Sequence, residues 1–477
     1  MVGGLGQRSR LLLAAGVIVF MGAYPHAPAK AAGLGGDCCA DLEERVAELE
    51  ATTARKGNKK VSVEVYGKVN QAVMWWDDGA EKNTYVIENG YNSTRFGFRG
   101  KAKISGDWSG GYRLEFEHRY AFGRNINQVD DDNNVDGRQL FTRHSYWYLN
   151  NKKYGELRVG LTSSPKDNIN KDTMIYGNVI DTVTQDFFNM QGFFLRPKGF
   201  NTEVGNGQPS GISVSTLKYV DIARCYTAQA LFDCSTRRNM IVYDSPKYFG
   251  SKEGKGFWAD WGWGEDDIWS ASLRYVDNWG ENWQVGGGIA FEKFRDENVQ
   301  NSGGGLNGFK RDIDEWAGSA SVLHVPSGLF VTGAFTTSDN KDSNRQHAGV
   351  FTGTDSPEEV AWDVQAGIFR KFIDLGYSTL LVGFTNSEDG IGGACGATRR
   401  CGPNTLAGLG ITTEITGSDV DKWYLALDQE VVPGAMDLYL VYQHISPEVD
   451  LVDSALNPVN IPLDDFDLIY SGARIYF

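Results

Sequence analysis

The sequence predicts an all-β protein, a transmembrane antiparallel β-barrel of about 16 strands that follows a short N-terminal helical segment. Apolar and polar residues alternate with period two through most of residues 61–477, as in strands with one face in lipid and one in water. No apolar run is long enough for a spanning helix, which needs about 20 residues. The 58 Gly, 25 Phe, 21 Tyr and 13 Trp suit many short strands joined by turns.

Residues 1–31 are predicted to be a cleaved signal peptide. Arg8 and Arg10 precede the apolar run 11–23, and residues 29–31 form an A-x-A cleavage motif. Cleavage leaves 43 basic and 61 acidic side chains, a formal charge of −18. Because this charge repels phosphate, nucleic acid is not expected as a partner.

Residues 32–60 are predicted to be a short helical segment and a linker. Within residues 41–50 (DLEERVAELE), Leu42, Val46 and Leu49 have the spacing of a coiled-coil seam. A helix this short is marginal alone. Two interpretations therefore stay open, a seam formed with sister chains and a frayed amphipathic tail.

Residues 61–477 carry the strand pattern. Val65, Val69 and Val73 alternate with polar residues such as Lys68 and Asn70. Later segments with the same pattern start near residues 111, 269, 362, 423 and 438. A soluble β-sandwich rarely sustains such alternation over one domain of this length. The pattern therefore favours one large barrel.

The connections between these segments alternate in length. Short turns are predicted at residues 105–107, 150–154, 326–328, 373–376 and 433–434. Long polar stretches are predicted at residues 123–137, 298–311, 337–358 and 387–419. Short turns on one side and long loops on the other are typical of outer-membrane barrels. The connection 163–237, of about 75 residues, is far longer than usual and is expected to be functional.

Two close cysteine pairs are predicted to form disulfides. Cys225 with Cys234 and Cys395 with Cys401 lie in polar or Gly-rich sequence of an exported chain, where disulfides persist. Zinc is the competing interpretation, but neither pair has C-x-x-C spacing or a second pair of ligands. Adjacent Cys38 and Cys39 have no assigned role.

Several segments together resemble one known family. Residues 65–69 (VYGKV), 93–100 (STRFGFRG) and 239–246 (NMIVYDSP), with the terminal Phe477, are similar to the alpha-proteobacterial general porins. The likeness extends over nearly all of the mature chain, including residues 41–50. It implies a sixteen-stranded outer-membrane barrel, usually a homotrimer, through which small hydrophilic solutes and ions diffuse passively.

The resemblance also implies partners and special segments. The barrel assembly machinery would insert the chain among outer-membrane lipid and lipopolysaccharide, with Phe477 as the assembly signal. The third external loop, here residues 163–237, would fold inward and narrow the pore. Its length and its cysteine pair depart from the family.

At the constriction, the resemblance implies wall arginines facing loop carboxylates. Alternation places five arginines on lumen faces, and the long connection supplies four aspartates. The candidates are Arg95, Arg99, Arg113, Arg119, Arg158, Asp167, Asp172, Asp181 and Asp186.

No motif predicts catalysis, a cofactor or a metal. The chain has no G-x-S-x-G, P-loop or H-E-x-x-H sequence. Residues 303–308 match G-x-G-x-x-G without a strand and helix around them, and are interpreted as loop. Asp132 starts a calcium-like loop, but Arg143 occupies the twelfth position, where a Glu is needed. A weak calcium or inter-subunit contact there is the competing interpretation.

Three other functions stay open beside the general diffusion pore. A substrate-selective channel is not separated from it by sequence. An outer-membrane barrel enzyme would need a Ser–His pair on the lipid-facing rim, and His118 and His144 have no evident Ser partner. A tether to the envelope through residues 41–50 could coexist with transport.

Overall fold

The structure is a computed structural model that describes 15 segments of the chain. These are residues 60–132, 140–167, 169, 188–198, 203–204, 214–215, 218–223, 237–264, 267–296, 311–340, 358–390, 404–405, 412–453, 457–460 and 462–477. The predicted signal peptide, the helix at 41–50 and all six cysteines lie outside the described residues. Within the described residues, no helix is both long and apolar enough to span a bilayer.

The described elements are nearly all strands. In chain order they are β1 (Glu64–Asp77), β2 (Lys82–Glu88), β3 (Arg95–Ser105), β4 (Trp108–His118), β5 (Leu140–Asn151), β6 (Gly155–Ser163), β7 (Glu203–Val204), β8 (Val214–Ser215), β9 (Arg237–Asp244), β10 (Tyr248–Phe249), β11 (Gly256–Gly264), β12 (Trp269–Trp279), β13 (Trp283–Asp296), β14 (Arg311–His324), β15 (Leu329–Asn340), β16 (Glu359–Ile373), β17 (Gly376–Glu388), β18 (Asn404–Thr405), β19 (Thr412–Val432), β20 (Met436–Asp453), β21 (Pro458–Val459) and β22 (Phe466–Tyr476). A 3₁₀ turn (Phe188–Met190) and a one-turn helix α1 (Tyr219–Ile222) lie between β6 and β9.

Among the described residues, sixteen strands form one closed antiparallel barrel. They are β1, β3 to β6, β9, β11 to β17, β19, β20 and β22. Each pairs with the next, and β22 pairs back with β1 from Lys68↔Tyr476 to Asp77↔Asp467. The barrel class and strand number predicted from alternation are confirmed. A barrel of this size leaves room for an aqueous channel.

The outward face of the barrel is apolar, as the alternation predicted. Val65, Leu273, Val364, Leu425 and Leu440 are each 45 to 51% exposed in the protein alone. Exposed apolar side chains at every second position along a closed barrel are the lipid-facing set. The exposed fraction therefore marks contact with hydrocarbon rather than with water.

The five predicted short turns all join adjacent barrel strands at one end of the barrel, the end where β1 starts and β22 finishes. The long connections lie at the opposite end, which identifies it as the external end. A short connection between β11 and β12 is an exception at that end. Residues 387–419 were expected to be all loop, but β19 starts at Thr412 and pairs with β20 up to Asp453. Strands that extend beyond the bilayer need no apolar face, so alternation of apolar residues could not predict this extension.

The connection between β6, which ends at Ser163, and β9, which starts at Arg237, lies partly inside the barrel. Its described residues 188–198 and 218–223 pack on inward faces of β1, β19, β20 and β22. The Phe193 ring centroid lies 5.3 Å from that of Trp76 and 4.9 Å from that of Phe466. We call residues 188–198 and 218–223 the inner loop. It covers part of the barrel wall with an apolar layer.

Candidate functional site in the barrel lumen

All five candidate arginines lie on inward faces of the barrel. In β3 and β4 this follows from period two, because Phe98 and Leu114 point outward and their neighbours in sequence point inward. Arg99 pairs in register with Arg113 across these strands, and Arg95 with Glu117. Side chains from two strands therefore share one patch of the lumen wall.

Two buried glutamates form the centre of that patch. Glu115 and Glu117 of β4 are 1 and 3% exposed at their side chains. Arg113 Nη2 lies 2.5 Å from Glu115 Oε2, and Arg119 Nη2 lies 2.7 Å from Glu117 Oε2. Arg95 Nη1 lies 3.8 Å from Glu115 Oε1. The wall arginines are thus held by carboxylates of the wall itself.

A further arginine, Arg143 of β5, bridges both glutamates. Its Nε donates to Glu115 Oε1 at 3.1 Å, and its Nη1 donates to Glu117 Oε1 at 2.6 Å. We call Arg95, Arg113, Arg119, Arg143, Glu115 and Glu117 the arginine cluster. Four guanidinium groups against two carboxylates leave it with two excess positive charges.

Sequence reasoning did not select Arg143 because a β-bulge changes the alternation there. Glu115 pairs with His144 but Phe116 pairs with Thr142, so Arg143 is the extra residue between them. A bulge re-aims side chains, and Arg143 faces inward although it directly precedes the inward-facing His144. A break in the period-two pattern of β5 was the only signal in the sequence.

Tyr66 connects the arginine cluster to the fifth wall arginine of this region. Its hydroxyl accepts a hydrogen bond from Arg113 Nε at 2.8 Å and donates one to Glu115 Oε2 at 2.9 Å. The Arg99 guanidinium lies 5.0 Å from the Tyr66 ring centroid and pairs with Glu64. Arg99 and Glu64 are each 56% exposed, so this pair is open to lumen water.

Arg158 lies in a different part of the wall. Its Nη2 bonds to Asp244 of β9 at 2.7 Å, and its Nε lies 3.8 Å from Glu156. Asp260 of β11 is in register with Asp244. The structure therefore does not bring Arg158 together with the arginine cluster.

Asp167 is the candidate aspartate within the described residues. It follows β6 at the start of the long connection, and Ser163 Oγ donates to its carboxylate at 2.5 Å. Arg237 Nη1 lies 3.7 Å away. Burial alone would raise the pKa of Asp167, but the charges of Arg237 and Arg143 and the Ser163 bond outweigh it and hold the pKa below its usual value. Asp172, Asp181 and Asp186 lie outside the described residues.

The first residues of the long connection are bound to the wall beyond β11. Arg274 Nη2 donates to the Pro165 carbonyl oxygen at 2.6 Å, and Lys166 forms a buried ion pair with Glu315. Ser319 Oγ donates to the Ile169 carbonyl oxygen at 2.6 Å. The connection thus contacts β12 and β14 first, whereas the inner loop contacts β1 and β19 to β22.

The arrangement places fixed charge on the inward face of the barrel wall. Ring-like or clustered charged side chains in a pore select ions by their sign and hydration. Within the described residues, no group of three or more His, Cys, Asp or Glu side chains is placed to hold a metal ion.

Comparisons with known proteins agree with this architecture. A family model described as Gram-negative porin matches residues 30–448. The anion-selective porin from Comamonas acidovorans is 17% identical, with a TM-score of 0.52, and the match covers 87% of this chain and 100% of that chain. Its structure shows the same fold.

Two further solved structures are similar at lower scores. OmpF of Salmonella typhi in complex with daunomycin is 13% identical, with a TM-score of 0.48, covering 88% of this chain and 99% of that chain. The outer membrane channel DcaP of Acinetobacter baumannii is 12% identical, with a TM-score of 0.41 and the same coverage of 88 and 99%. No curated protein matches the sequence.

Proposed function

Since the chain belongs to the Gram-negative porin family, we propose that its arginine cluster is the part of the pore that selects among solutes. The protein is a passive diffusion channel for small hydrophilic solutes and ions in the bacterial outer membrane. The observation that carries the proposal is the inward patch on β3 to β5, where four arginines enclose Glu115 and Glu117.

The cluster supports selection by charge and by hydrogen bonding. Arg113 and Arg95 keep 35 and 20% of their side-chain surface exposed, so their guanidinium groups still face passing solutes. Both carboxylates are enclosed, so the local field at the wall is positive. Asp167, paired with Arg237 at the start of the long connection, places one negative charge within electrostatic reach of Arg143.

The net ion preference follows from two opposing effects. The mature charge of −18 includes acidic side chains near the external end, such as Asp389 in the connection after β17, which concentrate cations. The arginine cluster opposes cations locally. Charges farther apart than about 8 Å are screened at physiological salt. We therefore propose a weak preference for cations.

Passage through the lumen requires no covalent step and no cofactor. Diffusion is driven by the solute gradient, and the fixed charges change only which solutes pass. We therefore propose that transport through the lumen occurs without catalysis.

The assembly of the protein is also a proposal. We propose a homotrimer, inserted by the barrel assembly machinery into outer-membrane lipid and lipopolysaccharide, within the alpha-proteobacterial subgroup of porins. The resemblance of residues 65–69, 93–100 and 239–246 to that subgroup supports it. The apolar outward face and the terminal Phe477 suit a lipid-inserted barrel.

Planar-bilayer recording of the purified protein tests the function. We expect stepwise conductance that rises with salt concentration and is not abolished by any one sugar. Heat-unfolded protein is the control. Saturable block by one sugar or one anion would instead identify a substrate-selective channel, and the absence of steps would contradict the proposal of an open pore.

A further inference from the structure

A serine, a histidine and an aspartate lie in series on the outward face of β20 and β22. His444 Nδ1 lies 2.8 Å from Asp467 Oδ1, and Ser446 Oγ lies 3.5 Å from His444 Nε2. The carboxylate only accepts hydrogen bonds, so Nδ1 carries the imidazole proton and Nε2 faces Ser446 as an acceptor. Tyr442 Oη donates to the same Asp467 oxygen at 2.8 Å and fixes the carboxylate.

These side chains lie on the lipid side of the wall. Residues at alternate positions of β20, including Leu438 and Leu440, are outward and 43 to 45% exposed, and Tyr442, His444 and Ser446 continue that face toward the external end. On β22, Asp467 shares its face with the outward Ile469. The group therefore lies at the external edge of the apolar band.

Aromatic neighbours give the depth of this site in the membrane. The Trp423 ring lies 5.0 Å from the Tyr442 ring and 5.7 Å from the His444 ring, centroid to centroid. Trp and Tyr concentrate at the level of the lipid headgroups. The ester linkages of glycerolipids lie at that level, between headgroup and acyl chain.

We propose that Ser446, His444 and Asp467 hydrolyse carboxylic esters of membrane amphiphiles. A nucleophile within reach of a base, with the base oriented by a third group, is the arrangement that activates serine. A barrel enzyme of this kind requires a Ser–His pair on the lipid-facing side, and no Ser partner for His118 or His144 was evident from the sequence. Ser446 and His444 form such a pair. This activity goes beyond diffusion and is independent of the lumen.

The reaction has two balanced steps. Ser446 Oγ bonds to the ester carbonyl carbon while its proton passes to His444 Nε2. The ester C–O bond then breaks, and His444 returns the proton to the departing alcohol, which leaves an acyl serine. Water then attacks the acyl carbon and loses a proton to His444 Nε2. The bond between the acyl carbon and Ser446 Oγ breaks, His444 returns this proton to Oγ, and the free fatty acid is released. Asp467 holds the imidazole and is a positioning residue.

A second Ser–His pair on the same barrel provides a matched control. His324 Nδ1 lies 2.7 Å from Ser327 Oγ, but among the described residues no carboxylate contacts His324. Ser327 also bonds the backbone of its own turn. Comparing variants of Ser446 and Ser327 therefore distinguishes a catalytic triad from a Ser–His contact within a turn. At the first site, Asp465 Oδ2 lies 4.0 Å from His444 Nε2, beyond hydrogen-bonding distance.

The test uses the full-length protein in octyl glucoside, a detergent without esters. Wild type should react with a fluorophosphonate at Ser446, detected by peptide mass, and should release fatty acid from dioctanoyl phosphatidylcholine in mixed micelles. Ser446→Ala should lose the label and at least 100-fold of the hydrolysis rate, with bilayer conductance unchanged. Ser327→Ala should match wild type in both.

Asp467 is tested by variants with and without the carboxylate. Asp467→Asn should lower kcat about 100-fold and change the pH profile of kcat, whereas Asp467→Glu should restore part of the rate. An unlabelled wild type, hydrolysis retained by Ser446→Ala, or equal loss in Ser327→Ala would each overturn the proposal. Because conductance is measured on the same samples, such a failure leaves the diffusion function intact.

Discussion

Gly67 and Phe477 exchange two backbone hydrogen bonds at the end of the β1–β22 seam that closes the barrel. Gly67 N donates to the Phe477 carbonyl oxygen at 2.9 Å, and Phe477 N donates to the Gly67 carbonyl oxygen at 3.0 Å. The Phe477 ring lies over Gly67 so closely that a Cβ atom at position 67 would be 2.5 Å from Cζ of the ring. The terminal residue therefore both completes the β1–β22 seam and uses the absence of a side chain at Gly67.

Deletion of Phe477 should prevent assembly, because it removes the last two backbone hydrogen bonds of the β1–β22 seam and the ring that covers Gly67. We expect the truncated chain to accumulate in the periplasm, as measured by its amount in purified outer membranes. Phe477→Tyr keeps the backbone bonds and the ring and is the control. Normal outer-membrane levels of the truncated chain would show that the seam tolerates an open end.

The period-two pattern predicted the barrel, its strand number and the inward positions of Arg95 and Arg113. It could not predict which carboxylates hold these arginines, because pairing depends on register between strands. Arg143 and Glu117, 26 positions apart in sequence, meet only because β4 and β5 are joined in the register that the bulge at Arg143 allows.

The inner loop shows a second limit of sequence reasoning. Val420, Val441 and Leu468 face inward yet are apolar and buried, so β19, β20 and β22 lack a polar lumen face at these positions. Their cover, including Phe193 and Tyr219, comes from residues more than 190 positions away in the chain. A pattern within one strand contains no information on what a distant connection will cover.

Replacement of Arg143 should destabilise the barrel and shift its ion preference. Arg143→Met removes the charge that bridges two buried carboxylates, and breaking a buried pair costs about 3 kcal/mol or more. We expect a lower midpoint of denaturant unfolding, followed by tryptophan fluorescence, and a reversal potential shifted toward cations. The control is Arg99→Met, whose exposed pair with Glu64 contributes about 0 to 1 kcal/mol. Equal losses of stability in Arg143→Met and Arg99→Met would show that Arg143 does not stabilise the buried carboxylates of Glu115 and Glu117.

The Asp167 contact should depend on pH in one direction. Because its pKa is lowered in the folded protein, Asp167 stabilises the start of the long connection fully above the unfolded value of about 3.9, and this contribution is lost as pH falls through the folded pKa. The difference in Tm between wild type and Asp167→Asn should stay constant from pH 7 to about 5 and shrink below about 4. Asp107→Asn, in an exposed turn, should show no such dependence. A difference of unchanged size at pH 2 would mean that the charge of Asp167 is not involved.

Both local cysteine pairs should be oxidised in protein purified from the outer membrane. The prediction depends on spacing and on export, because Cys225, Cys234, Cys395 and Cys401 lie outside the described residues. Non-reducing peptide mapping should recover Cys225 with Cys234 and Cys395 with Cys401, and reduction before digestion is the control. Free thiols at these four positions would contradict it.

The ion preference of the wild-type pore should be weakly cationic. The mature charge of −18 draws cations toward the external end, and the two excess positive charges of the arginine cluster cancel part of this attraction. Under a potassium chloride gradient, the reversal potential should have the cation-selective sign and should decrease as salt rises, because screening shortens the reach of the external charges.

Asp181 and Asp186 of the long connection allow the contribution of negative charges to the ion preference to be tested. Replacing Asp181 and Asp186 with Asn should shift the reversal potential toward anions without unfolding the barrel, because charges that face the lumen tune selectivity whereas charges on the lipid face destabilise. Asp107→Asn, in a turn at the opposite end, is the matched control for loss of a carboxylate. An anion-selective wild type would show that the arginine cluster outweighs the external charges. An unchanged potential in the double variant would place Asp181 and Asp186 away from the path of the ions, and Asp167 would then be the loop carboxylate that faces the arginine cluster.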